Sequence, residues 1–188
     1  MNSSCHDHNL TAPIPYAATL GVAYSITFIF AVFGNLGLII GIIQNWSKMK
    51  SVMNVLVVNL ALADLGLAIV GMPFTAIHDI YLYNPIGAGF CFVWLAAMVG
   101  FWSANIICVT SIALERYIKI IHPEKAKIKA NGAIILAIIA WIISFAIAIP
   151  YSIDIINHYD YVHERIVCYN IQSNLAGRRV FIVFFVFI

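Results

Sequence analysis

Leu114-Glu115-Arg116-Tyr117-Ile118-Lys119-Ile120-Ile121-His122-Pro123 closes a long apolar run with a charged pair. From Gly87 through Ala113 there is no Asp, Glu, Lys or Arg. A charge at the centre of a bilayer costs roughly 2.5–3.5 kcal/mol on an insertion scale, so charges gather where a membrane helix ends. Glu115 and Arg116 therefore mark the polar boundary of a spanning helix. The lysines after them make that boundary a cytoplasmic one.

The rest of the chain agrees with a membrane solvent. It is 63% hydrophobic and only 10% charged, with a mean hydropathy of +0.95; soluble domains carry about 25% charged residues. The net charge of +2 gives no reason to expect nucleic acid. Four stretches reach the roughly 20 residues that cross a bilayer, near 17–43, 52–76, 88–118 and 132–151. A fifth, 178–188, is cut short by the chain end. The expected fold is an all-α membrane protein, a helical bundle of four spans and the start of a fifth. Residues 1–16 form a tail without a cleavable leader, and 17–188 form the membrane domain. Pro73 and Pro150 should kink or end their helices, and termination suffices for Pro150.

Loop charges orient the bundle. Lys48 and Lys50 follow the first span, and Lys119, Lys125, Lys127 and Lys129 follow the third. The opposite side has only Arg165, Arg178 and Arg179, so the count is six against three before Arg116. The positive-inside rule puts the N-terminus outside. The sequons at Asn2 and Asn9 then face a glycosylating compartment, whereas a third at Asn45 faces the cytosol and stays silent.

Cys91 and Cys168 both fall on the outer side, where disulfides persist. A bridge between them would close about 77 residues and add roughly 4 kcal/mol on the chain-entropy model. Cys5 is a rival on the same face. Cys108 lies about 25 Å along the third helix from Cys91 and is out of reach. Within the membrane, Asp64 needs a donor, a cation or a proton, and Asn35 and Asn105 stand at a similar depth. The plain structural alternative is an Asp64 satisfied by Asn35 alone. Trp94, Met98, Phe101 and Trp102 on the outer half of the third helix are candidate pocket residues, although such aromatic stripes more often pack than bind. His6, Asp7 and His8 beside Cys5 are an ordinary solvated tail more often than a metal site. No nucleophile–base or metal-ligand cluster suggests an enzyme. No internal repeat suggests a transporter, the least favoured alternative.

These residues together resemble the rhodopsin-like, or class A, G-protein-coupled receptors. Gly34-Asn35, the run Asn59-Leu60-Ala61-Leu62-Ala63-Asp64, Glu115-Arg116-Tyr117 with His122-Pro123, and Trp141 nine residues before Pro150 follow the family order. So does the 25-residue spacing from Cys91 to Arg116, and Cys168 matches the family's outer-loop cysteine. The resemblance covers the first two-thirds of a seven-helix receptor. It implies an extracellular ligand, a heterotrimeric G protein and the bilayer as partners, with multi-pass placement in the plasma membrane. Glu115, Arg116 and Tyr117 would form the coupling switch, with Glu115 holding Arg116 at rest. Asn35, Asp64 and Asn105 would form the intramembrane polar site. A sodium ion beside Asp64 is the one cofactor suggested, but Asn105 replaces the usual serine there. Met98 stands where amine receptors carry an aspartate, which disfavours a biogenic amine. The β-branched and aromatic loop Tyr159–Tyr169 suggests a short hairpin, and the reading leans to a peptide over another non-amine small molecule. A truncated, non-signalling fragment acting through dimerisation is the main alternative.

Overall fold

A computed structural model describes residues 13–81, 88–122, 130–157, 161–162 and 165–166. Helix α1, Ile14–Gln44, starts behind Pro13, with a second proline in its first turn where no amide donor is needed. Asn45 ends it, and the single turn α2, Trp46–Met49, leads to Ser51. The Ser51 hydroxyl caps α3, Val52–Gly66, by accepting from the Asn54 amide at 3.2 Å.

Helix α3 does not stop at Gly66. It runs through a π-helical turn, Leu67–Gly71, into α4, Met72–Tyr81, making one span of 30 residues. The Met72 amide donates five residues back to the Leu67 carbonyl. Pro73 has no N–H to offer the preceding turn, and a wide turn is a known way of absorbing that break. Helix α5, Ala88–Ile121, and α6, Ala130–Asn157, complete four helices long and apolar enough to cross a membrane.

Each helix extends past the apolar core expected from hydropathy. Polar residues lower hydropathy, but the backbone bonds continue until a cap or a break. The largest differences are at α4, which carries His78 and Asp79 within it, and at α6. Pro150 lies inside α6 and does not terminate it. One missing donor interrupts one rung, while the remaining backbone in an apolar solvent still has only helical partners. After α6, β1, Tyr161–Val162, pairs antiparallel with β2, Arg165–Ile166, as the loop composition suggested. The fifth span expected at 178–188 lies outside the described residues.

Helix α5 packs on α6 and α3, while α1 lies along α3 and α4. The contacts are lined by small residues: Ala61, Ala63, Ala68, Ala104, Ala133 and Ala148 are all buried to 2% exposure or less. In lipid the hydrophobic effect does not drive helices together, so close backbone approach and dispersion must do so. Buried Ser144 and Ser152 return their hydroxyls to carbonyls of their own helix, which removes the cost of enclosing them. Large apolar side chains such as Phe30, Phe33 and Ile142 point outward.

Candidate functional site

Asn59 joins three helices. Its amide donates to the Cys108 Sγ on α5 at 2.8 Å, and its carbonyl oxygen accepts from Trp141 Nε1 on α6 at 2.6 Å. At 6% exposure it has little access to any other partner. One turn from Cys108, Asn105 donates to an Asp64 carboxylate oxygen on α3. The two bonds put the polar atoms of α3 and α5 onto each other and away from hydrocarbon.

Of the three residues expected around Asp64, the fold brings together Asp64 and Asn105. Asn35 instead donates to the Ala31 carbonyl of its own helix at 2.9 Å, so the alternative of Asp64 satisfied by Asn35 is set aside. As placed, Asn105 offers Asp64 an N–H, whereas a sodium ion needs oxygen ligands. The pair suits a hydrogen-bonded carboxylate; sodium would require the amide turned over.

An aromatic cluster lies beside this relay. Phe101 meets Trp141 edge-on at 5.7 Å and Phe145 at 5.8 Å, while Trp141 and Phe145 stack at 6.1 Å. Gly66 makes room for it: a Cβ there would sit 2.2 Å from the Phe101 ring. Phe101 thus packs against these rings, the alternative already weighed for it, and is not among the residues lining the outer cleft. It sits over Gly66 and under two α6 rings.

The other candidate pocket residues do line a cleft of about 230 Å³ at the Cys91 end. Helix α5 contributes Trp94, Met98 and Trp102, α4 contributes Thr75, His78 and Asp79, and α6 contributes Tyr151. Residues 75, 78 and 79 fall on one helical face by their spacing. Met98 fits against Gly71, where a Cβ would approach its sulfur to 2.3 Å. Asp79 accepts from the Tyr24 hydroxyl of α1 at 2.7 Å and lies 3.6 Å from His78 Nδ1. Trp94 Nε1 and His78 Nε2 are both buried without a hydrogen-bond partner. Two buried ring nitrogens without a partner thus lie at one cleft, and unsatisfied groups of this kind are rare enough in native structures to ask for an explanation. His78, Asp79 and Tyr151 were missed in the sequence because they follow the apolar core and read as loop or helix end. The available signal was that Thr75, His78 and Asp79 keep helical spacing.

Below Trp94, Cys91 is fully buried and disulfide-bonded, packed with Phe74 and Phe90. Cys108 is a free thiol. Cys5 and Cys168, like the sequons at Asn2 and Asn9, lie outside the described residues.

At the far end of α5 the expected pairing changes. Glu115 forms its ion pair with Lys119, one turn on, and Arg116 has no ion pair among the described residues. Neighbouring positions on a helix diverge by about 100°, whereas i and i+4 share a face. Arg116 is exposed, as is Tyr117, whose ring meets His122 edge-on at 6.3 Å. Glu115 faces a groove of about 330 Å³ between α3, α5 and α6, with both carboxylate oxygens buried and Lys119 as the partner of one of them.

Residues 34–188 match the model of the 7 transmembrane receptor (rhodopsin family). Among curated relatives, a somatostatin-like receptor of Takifugu rubripes is 30% identical over 146 residues, 74% of this chain and 50% of that protein. The neuropeptide Y receptor type 6 of Mus musculus is 32% identical over 129 residues, 69% of this chain and 35% of that receptor. The neuropeptide receptor npr-1 of Caenorhabditis elegans is 30% identical over 149 residues, 78% and 32% respectively. The chain spans half or less of the length of these relatives. With a family match over residues 34–188 and the helical bundle in agreement, the chain belongs to the rhodopsin family of seven-transmembrane receptors.

Proposed function

We propose that the chain carries the ligand cleft and the coupling end of a plasma-membrane receptor for an extracellular peptide that acts through a heterotrimeric G protein. The observation that carries this reading is the cleft at the Cys91 end, where Trp94 Nε1 and His78 Nε2 are buried and unpaired. A peptide backbone offers the complementary carbonyl and amide groups. The relatives named as receptors for peptides support the same ligand class.

In this reading the Cys91 end faces outside, and Cys91 pairs with Cys168 to hold the loop over the cleft. The Glu115–Tyr117 end faces the cytosol. Peptide binding must favour one of two bundle arrangements, because a ligand shifts an equilibrium only by its differential affinity. Arg116, exposed and unpaired among the described residues, then meets the G protein in the favoured arrangement. Lys119 keeps Glu115 neutralised beside it.

The test is guanine-nucleotide exchange on membranes from cells expressing the full-length receptor, challenged with a panel of somatostatin-like and neuropeptide Y-like peptides. At least one peptide should stimulate exchange, and Arg116→Ala should abolish the response at unchanged surface expression. A panel without response, or an Arg116→Ala receptor that responds normally, overturns the proposal.

A further inference from the structure

We infer that the cleft between α4, α5 and α6 is a subsite for an arginine side chain of the ligand, its guanidinium donating to Asp79 and His78. The inference rests on the proposed peptide reading and adds which side chain the receptor selects.

Size comes first. At about 230 Å³ the cleft is smaller than the roughly 300–1,000 Å³ that holds a whole drug-sized ligand. It takes one side chain and its peptide unit.

Charge comes next. Between Lys50 and Arg116 the sequence contains no Lys or Arg, and neither α1 nor α6 supplies one. The Asp79 carboxylate therefore has no lysine or arginine beside it within the described helices. The Tyr24 hydroxyl covers one carboxylate oxygen, and the other faces His78 Nδ1 at 3.6 Å. With its proton on that nitrogen, a neutral imidazole presents Nε2 as an acceptor, and Nε2 is buried and unpaired. Two acceptors on adjacent residues ask for a cation with several donors in a fixed fork. Guanidinium has five N–H groups in one plane, whereas ammonium is a compact, strongly hydrated point charge. The surrounding rings of Trp94, Trp102 and Tyr151 favour the same group, since guanidinium lies well on aromatic faces. Trp94 Nε1, a donor in need of an acceptor, takes the carbonyl of the arginine residue itself.

The experiment uses the 188-residue chain in lipid nanodiscs and two probes, acetyl-Leu-Arg-Leu-amide and its citrulline analogue. Citrulline keeps the side-chain shape but carries no charge. Tryptophan fluorescence titration should show the arginine peptide binding at least tenfold tighter. Asp79→Asn should bring the two within twofold of each other without changing citrulline-peptide binding, which also reports an intact fold. Equal binding by the unsubstituted chain, no binding of either probe, or an arginine preference that survives Asp79→Asn overturns the inference. So does an arginine preference seen only in Arg165→Ala, because the chain's own hairpin would then be the occupant. If Asp79→Asn receptors still respond to the peptide panel and no arginine preference exists, the subsite is wrong and the peptide-receptor reading stands.

Discussion

Asn59 satisfies two neighbours at once, and its loss would strand both. Replacing it with Leu removes the acceptor of Trp141 Nε1 and the donor to Cys108 Sγ. A buried polar group left without a partner costs about 1–3 kcal/mol, although interhelical bonds in membranes average nearer 0.6 kcal/mol. Asn59→Leu should therefore lower stability by about 1–2 kcal/mol, a range bracketed by those two figures. Denaturant unfolding in mixed micelles would measure it. Gly66→Ala is a second case, because the added methyl would meet the Phe101 ring. It should destabilise alone and much less in a Phe101→Leu background. A double-mutant cycle with no coupling would show that the ring moves aside freely. Asp64 could be picked out in the sequence because a lone acid stands out in an apolar run. Which amide satisfies it could not, because depth along a helix says little about facing. Asn35 and Asn105 looked equivalent until helix rotation turned Asn35 back onto Ala31.

The spans themselves were readable as apolar runs, since a single segment can satisfy its own backbone in hydrocarbon only as a helix. Their irregularities were not. Leu67-Ala68-Ile69-Val70-Gly71 has no residue that announces a π turn, and only Pro73 downstream gives a reason for one. The turn matters to the cleft because the extra residue rotates all that follows by about 100°. Deleting Ile69 should return the segment to regular α-helix and swing positions 78 and 79 off the cleft. A His78→Cys probe, slow to react with a maleimide in the intact span, should react at a clearly different rate after the deletion. An unchanged rate would mean that the π turn does not set the facing of α4. Pro150 was misread for a related reason: a helix-breaking residue in water is only a lost rung in lipid.

At the scale of the whole bundle, topology is the property most open to experiment. With the Cys91 end outside, Asn2 and Asn9 should both carry glycan. Glycosidase treatment should shift the mobility of the chain, and replacing both with Gln should remove the shift. Cys91→Ser and Cys168→Ser should impair surface delivery equally, measured by surface labelling; a clear inequality would count against their pairing. Charge asymmetry and motif order made the family legible from residues scattered over the entire length. The cleft was half legible: Trp94, Met98 and Trp102 emerged from one helix, whereas the α4 and α6 walls required three-dimensional packing. The three-way junction at Asn59 has a mechanical consequence at this scale. A slide of α6 along its axis by one turn, about 5.4 Å, would tear the Trp141–Asn59 bond and leave the Asn59–Cys108 bond in place, whereas a tilt about that point would keep both. The junction would then serve α6 as a pivot: a push inward at one face of the membrane would swing the helix outward at the other.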